Sequence, residues 1–442
     1  MSNVNPAAPE FADAISFESV LIETELVSPV EIAPLVTDLD VFEHLDKPYV
    51  TAVLGFLDVE NVVADLNISG GERVSIVLKT NLQTSIPIRK IFYIDKIMSA
   101  SKTHSNEEFF TLHLIEDHAF ISNTLNVNKA YSGSTTTIVS KIAKDFLDTN
   151  IDILSSDVHN TKVIVPNLTP IDAMCWVKNR TTTTTGYPFY LFSNFIDLNL
   201  QFDDLQSMMS SAVMNPDAPY TYYEAQMAAN ADTLRRRVIL SYQARDTYDI
   251  YRLIDEGLLG SEYQYVDVTK PKHDGSGKRT DHKFTFDIDK EVISKMTSDG
   301  IIQNIPLYDS TRYDWSKKKV NSRKITRMGS SNIFNDIKSL SEREEVAQYR
   351  LNEVSRAMSQ LLTTDAMTFM VNGLDFFSGE SNATIGNKIR IQFLKNRVDE
   401  YEGKFDTKKS GDYLIFACKH SISPSEYTLT FSGVKLSNGD IV

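Results

Sequence analysis

The chain reads GGERVSIVL from Gly70 to Leu78 and IGNKIRIQF from Ile385 to Phe393. With Gly71 set against Gly386 the two align without gaps: Arg73 with Lys388, Val74 with Ile389, Ile76 with Ile391, Leu78 with Phe393. Strand side chains alternate faces, so each copy places three apolar residues on one face and leaves Ser75 or Arg390 on the other. The glycines stand at the strand entrance, where a turn with positive φ favours them. A second pair follows. FTLHL (Phe110 to Leu114) comes after the first copy and YTLTF (Tyr427 to Phe431) after the second, matching Phe110, Leu112 and Leu114 with Tyr427, Leu429 and Phe431. Alternation alone is cheap among amphipathic strands. Order is the stronger signal: a glycine-led strand, an aromatic strand (IFYIDKI or YLIFACK), then the third strand, in both halves. Two similar β domains at the ends of the chain are the prediction, with helical material between them.

Length and composition bound the rest. At 442 residues the chain suggests roughly three domains, at about 150 residues each. Hydrophobic content of 42% with 24% charged residues is that of a folded globular protein. The N-terminus, MSNVNPAAPEFADAISF, has no basic region followed by an apolar run, and no later segment reaches about 18 uninterrupted apolar residues. Neither secretion by signal peptide nor membrane insertion is expected. Cys175 and Cys418 are the only cysteines, in segments that read as a helix and a strand of different domains, so no disulfide is expected and a reducing compartment fits. The net charge of -14 argues against a protein built to grip nucleic acid, which needs clustered cations to displace counterions. One local exception holds Lys317, Lys318, Lys319, Arg323, Lys324 and Arg327, with Arg312 before them and Asp314 the one acid among them. It is either a solvated basic loop or a docking patch for an acidic protein neighbour.

Along the chain, residues 1–16 read as a flexible leader, and 17–118 as a run of short strands forming a first tube-like β-barrel domain. Residues 119–215 mix types. STTTIVSKIAKDFL carries Ile138, Val139, Ile142 and Phe146 at helical spacing, and LTPIDAMCWVKNR opens with Thr169 as N-cap, Pro170 first in the helix and Asp172 three positions on. The aromatic YPFYLFSNF that follows reads as core. Residues 216–268 give a strand, a helical piece and a strand leading toward the second barrel, and 269–330 a polar, loop-rich insertion. The segment 331–363 holds the longest helix candidate, SEREEVAQYRLNEVSRAMSQLL, with Ser341 and Glu344 in capping-box spacing. Its Ala347, Leu351, Val354, Met358 and Leu361 form a seam that packs in its own domain or against another subunit. Residues 364–442 read as the second tube-like β-barrel. The fold class expected is therefore α+β, rich in β, with a barrel domain at each end and α/β domains between.

Motifs of known chemistry are missing: there is no HExxH, G-x-S-x-G, Walker-type glycine loop or paired C-x-x-C. His113 and His118, with Glu116 and Asp117 between them, sit at a strand end where alternation turns His113 away from the apolar face, toward solvent or a channel. Asp203 and Asp204 could be imagined as glycosidase carboxylates, but adjacent strand residues point to opposite faces. Cys175 beside Trp176 lacks a partner base and reads as buried filler. The expectation is a protein that is not an enzyme and uses no cofactor, metal or catalytic set. Two other classes remain open: a hydrolase acting on cell-wall glycan, and a glycan-binding module using YPFYLF or PYTYYEAQ as stacking surfaces.

A family resemblance supplies the setting for all three classes. DLDVFEHLDKPYVTAVLGFLDVENVVADLNISGGERVSI resembles the opening barrel of the baseplate hub proteins of contractile-tailed bacteriophages. PNLTPIDAMCWVKNRTTTTTGYPFYLF is similar to their second domain, and TIGNKIRIQFL with SGDYLIFACKHSISPSEYTLTF resembles their second barrel. The resemblance covers most of the chain and is weakest over 269–330. It implies a homotrimer whose two barrels per subunit make a pseudo-six-fold ring with an open channel at the tip of the tail tube. The implied partners are the tube or tube-initiator ring protein, a separate trimeric spike and baseplate wedge proteins, with genome DNA passing through unbound. The hub portion of type VI secretion spike proteins is a related case fused to its spike; ending at Val442, this chain is expected to take its spike as another polypeptide. It implies a virion component assembled in the host cytoplasm.

Overall fold

The structure, a computed structural model, describes residues 15–24, 28–80, 87–104, 107–155, 160–222, 237–244, 251, 255, 261–267, 282–286, 292, 294–299, 324–329, 351–360, 366–377, 384–394 and 405–437. Its first seven strands are β1 (Ile15–Glu23), β2 (Val30–Glu31), β3 (Val36–His44), β4 (Thr51–Asp58), β5 (Arg73–Thr80), β6 (Ile88–His104) and β7 (Glu107–Glu116). A helical turn, α1 (Val62–Asp65), links β4 to β5, its first N–H groups received by the Asp58 carboxylate. The middle of the chain holds α2 (Asp117–Ser122), β8 (Ala130–Ser134), α3 (Thr135–Leu147), β9 (Ile151–Asp152), β10 (Asn160–Ile164), α4 (Pro170–Lys178), β11 (Phe189–Phe192), β12 (Leu200–Asp204) and α5 (Leu205–Ser210). The last part holds β13 (Tyr220–Tyr222), β14 (Ile239–Ala244), β15 (Ser261–Asp267), β16 (His282–Phe286), α6 (Ser294–Ser298), β17 (Lys324–Gly329), β18 (Ala366–Asn372), β19 (Lys388–Phe393), β20 (Gly411–Ile422) and β21 (Tyr427–Ser437).

Thirteen of these strands form one large, mainly antiparallel sheet, in the order β14-β18-β21-β20-β3-β4-β7-β6-β5-β1-β2, with β19 beside β20 and β13 beside β19. Within it the chain writes one pattern twice: β3-β4-β7-β6-β5 and β14-β18-β21-β20-β19, antiparallel throughout. The glycine-led strands match atom for atom at their entrance. Gly71 (φ 92) donates its N–H to Ile94 O at 2.7 Å, and Gly386 (φ 81) donates to Ile415 O at 2.8 Å. Ile94 N–H returns to Glu72 O and Ile415 N–H to Asn387 O, each at 2.9 Å. Two of the bulges repeat too. β6 slips against β7 between Ile94 and Lys96, and β20 against β21 between Ile415 and Ala417; β3 slips between Val36 and Asp38, and β14 between Ile239 and Ser241. A bulge is a local feature that flat alternation does not demand, so its recurrence at the same rungs carries more weight than the shared strand order.

The ladders correct the alignment of the third strands. Because Ile94 and Ile415 are equivalent, Leu112 corresponds to Phe431 and Phe110 to Leu429, two residues from the sequence-based match, with Leu114 opposite the place of Gly433. A two-residue slip leaves every side chain on its original face, so alternation could not detect it. The duplication also has an end. β1 lies antiparallel on β5, whereas β13 lies parallel on β19 and reaches the start of β14 through a Thr221–Val238 bridge, with Thr221 N–H on Arg237 O at 2.9 Å.

Burial follows the predicted faces. Val74, Ile76, Leu78, Phe110, Leu112 and Leu114 are buried in the first unit, and Ile389, Ile391, Phe393, Tyr427, Leu429 and Phe431 in the second. The first set shares a core with Val41, Leu54, Phe56 and Phe92, and most of the second with Phe369, Tyr413 and Ile415. Between the units, α3 and α4 pack on the sheet β11-β12-β9 around Ile138, Val139, Met174, Leu191 and Phe202. α4 starts as its sequence dictates: Thr169 accepts the Asp172 N–H at 3.2 Å, with Pro170 in the first turn. The described parts of 261–329 make a small sheet, β16-β15-β17.

Residues 351–360 are helical, with Val354, Ala357 and Met358 buried in the second unit's core and Leu351 half-buried. A Cβ placed on Gly186 would stand 3.0 Å from Leu351 Cδ2 and 3.4 Å from Val354 Cγ1, so this seam lies against the middle of its own chain. Of the two uses open to the seam, its own domain or another subunit, Val354 and Met358 serve the first, since side chains buried within one chain have no apolar area left to offer another, while Leu351 is only half-buried. Leu361 lies outside the described residues.

Candidate functional site

The two units meet where β3 runs along β20, Leu39 pairing with Ile422 and His44 with Ala417. Beneath this joint the chain places charge where alternation places apolar side chains. Glu43 follows Leu39 and Val41 in phase on β3 and is buried. Its Oε1 receives the Phe195 N–H and lies 3.4 Å from His420 Nε2. The other ring nitrogen, Nδ1, is 2.8 Å from the Tyr427 hydroxyl, and the two rings stack in near-parallel planes. Burial first, then the Glu43 charge, pushes the Tyr427 phenol and the Cys418 thiol well up from their ordinary values.

A second buried cluster lies one loop away. Glu116, in phase with Leu112 and Leu114, accepts Lys90 Nζ at 2.6 Å and Ser193 Oγ at 3.1 Å on Oε1, and Val50 N–H at 2.8 Å on Oε2. Burial by itself would raise its pKa, but the Lys90 ammonium, the His118 ring and these donors outweigh that and hold the carboxyl below its usual range. His118 is buried, with Nε2 2.7 Å from Pro48 O, which corrects its expected place in solvent or a channel: its ring lies on α2, past the end of β7. His113 keeps the polar face, 3.0 Å from Asp95. The segment Ser193–Phe195 touches both clusters, and Ser193 N–H also reaches Lys47 O at 3.4 Å. One loop of the middle region thus ties the first unit to the second.

This arrangement ties the two units and the middle region together. The Cys175 thiol is pushed up to about 11 by burial, far from a reactive thiolate. Asp203 and Asp204 do separate work: Asp203 accepts the Leu154 N–H at 2.7 Å, while Asp204 caps α5 through Ser207 N and Oγ. Among the described residues no three His, Cys, Asp or Glu side chains group to hold a metal ion, and no helix is long and apolar enough to cross a membrane. Tyr187, Phe189, Tyr190 and Phe192 are buried, so YPFYLF has no stacking face to show a glycan. Of the basic patch, Lys324 is exposed on β17, 3.7 Å from Glu262, and Arg327 lies further along that strand. Lys317, Lys318, Lys319 and Arg323 lie outside the described residues.

The fold can be set beside solved structures. The 43 kDa tail protein of prophage MuSo2 from Shewanella oneidensis matches over 96% of this chain and 100% of its own, with 10% identity and a TM-score of 0.53. A tail protein from Neisseria meningitidis MC58 matches over 97% and 99%, again with 10% identity and a TM-score of 0.53. The chain has the fold of these tail proteins. No family model and no curated protein matches the sequence. With one residue in ten shared over almost the whole length, the likeness resides in the fold and not in the sequence.

Proposed function

We propose that this chain is a structural component of a contractile phage tail, the hub of its baseplate, working as a trimer whose two duplicated units per chain form a pseudo-six-fold ring around a channel. One observation carries the reading: two five-stranded units with the same order, two matching bulges and the same glycine entrance lie edge to edge in one sheet. An object with two near-equivalent units per chain presents six similar faces when three chains gather on an axis. Such a ring can mate with a six-fold tube on one side and carry a three-fold spike on the other. The contact of β13 with both β19 and Val238 supports a barrel for the second unit. The fold shared with two tail proteins supports the setting in a virion tail. The net charge of -14 suits a bore that DNA crosses without binding.

Light scattering on the purified protein, with electron-microscope projections of the same sample, is the test. Particles of three chains showing three-fold or near six-fold rings are expected; a monomer at every concentration would sink the proposal. A map of the assembled ring whose bore is lined mainly by Lys and Arg would overturn the repulsive channel.

A further inference from the structure

Inside the chain, the outer edge of β3 is covered by the distal half of β20, from Ala417 to Ile422, in an antiparallel ladder. Ser421 Oγ donates to Asp40 at 2.7 Å across it, and Lys419 Nζ reaches the same carboxylate at 3.0 Å. The joint therefore needs two parts, an outer edge from one unit and the distal half of a long bulged strand from the other. Because the units are duplicates, each owns both parts. The counterpart of β3 is β14, and the counterpart of the distal half of β20 is β6 from Lys96 to Lys102.

These two counterparts have no such use among the described residues. Among the described residues, the distal half of β6 is paired only with β7 and the strand β14 only with β18, apart from the bridge next to its start. Exposure records the difference. His420 and Val41 are fully buried in the internal joint, while their equivalents Ala100 and Ala244 are exposed. Large apolar side chains also stand in the open at both edges, Met98 at 53% and Leu240 at 50%. The first bulge of β6 has its counterpart in β20, which still accepts β3; a second bulge, between Ile97 and Ser99, has none, so the register of the internal joint carries over to Ser99–Lys102, beyond it.

We propose that a second copy of this chain fills both edges: β14 of one copy lies antiparallel along the distal half of β6 of the next, in the register of the internal joint. Carrying that register over sets Tyr242 opposite Lys102, Gln243 opposite Ser101 and Ala244 opposite Ala100. Backbone hydrogen bonding along a free edge supplies the attachment, and the pair Ser101 with Gln243 takes the place of Ser421 with Asp40. The donor and acceptor edges are different surfaces, so copies join head to tail and close only where the rotation per joint divides a circle. Internal and intermolecular joints then alternate around the ring. This rests on the ring reading above and assigns its contact.

Disulfide trapping tests it in a Cys175→Ser background, with Cys418 left buried. Directly opposed antiparallel residues have Cα atoms about 4.5–5.5 Å apart, within disulfide reach, whereas diagonal neighbours stand about 7–8 Å apart. Ser101→Cys combined with Gln243→Cys is expected to give covalent multimers on a non-reducing gel after mild oxidation. Mixing the two single variants is expected to give linked dimers, and Ser99→Cys with Gln243→Cys to link at least tenfold less. Three-chain particles that fail to link, or that link equally through Ser99→Cys, overturn this interface and leave the ring standing. Sizing that finds only monomers overturns both.

Discussion

Glu43, Lys90, Glu116 and His420 are polar residues in the apolar phase of their strands, and all four are buried. That phase was legible: Ile88, Lys90, Phe92 and Ile94 alternate onto one face, as do Leu112, Leu114 and Glu116. A charge in such a position needs a partner, and the sequence does not name partners that lie a domain apart, such as Ser193 for Glu116. Replacing Glu116 with Ala strands the Lys90 ammonium and is expected to cost about 3–5 kcal/mol in chemical denaturation. Lys90→Met with Glu116→Leu should recover part of that, leaving about 1–3 kcal/mol for the orphaned Val50 N–H. Asp203 behaves oppositely. Burial pushes its carboxyl up to about 6, so the stability it confers is full below the ordinary carboxylate pKa and is lost as pH rises through about 6. Asp203→Asn is therefore expected to stabilise the protein by about 1–3 kcal/mol at pH 8 and to change nothing at pH 4, as read from paired thermal melts.

At the scale of elements, the two glycine-led strands predict a contrast that their sequences hide. Both glycines hold positive φ, so an alanine at either strains the backbone by about 1–2 kcal/mol. Around Gly71 there is room, the nearest atom to a new Cβ being Phe120 Cζ at 3.8 Å. At Gly386 the Phe192 ring stands at 3.0 Å and Met208 sulfur at 3.4 Å. Gly386→Ala is expected to lose about 1–3 kcal/mol more than Gly71→Ala, measured as a shift of the denaturant midpoint at unchanged slope. The glycine requirement could be read from the stretch itself; the crowding depends on Phe192 and Met208 of the middle region packing at the glycine entrance of the second unit and not at that of the first. The third strands teach the same lesson, because their register is set by a bulge opposite β6 or β20, and a slip of two residues is silent in alternation. Duplicate positions have also diverged in chemistry. The place of Glu116 in the second unit is Lys435, whose Nζ donates to the Thr407 and Lys408 carbonyls.

For the whole molecule, the continuous sheet means that the β3–β20 joint is protected in a single chain, whereas among the described residues no strand covers the distal edge of β6 or of β14. Hydrogen exchange followed while the protein is diluted should show amides of Leu39–His44 slow at every concentration. Those of Ser99–Lys102 and Ser241–Ala244 should exchange at least tenfold faster once the particles dissociate; equal rates before and after would count against the edge contact. The strands, their buried faces, the glycine entrances and the capped start of α4 were determined by the sequence alone, because each depends on side-chain period, φ preference or a cap within a few residues. Only the tertiary structure decided the rest: that the seam through Val354 and Met358 is internal, that β13 runs parallel where β1 runs antiparallel, and that the two units share one sheet through β3 and β20. Those outcomes turn on contacts between residues hundreds of positions apart, where period and propensity are equally satisfied by several partners and the choice falls to packing and to the pairing of backbone edges.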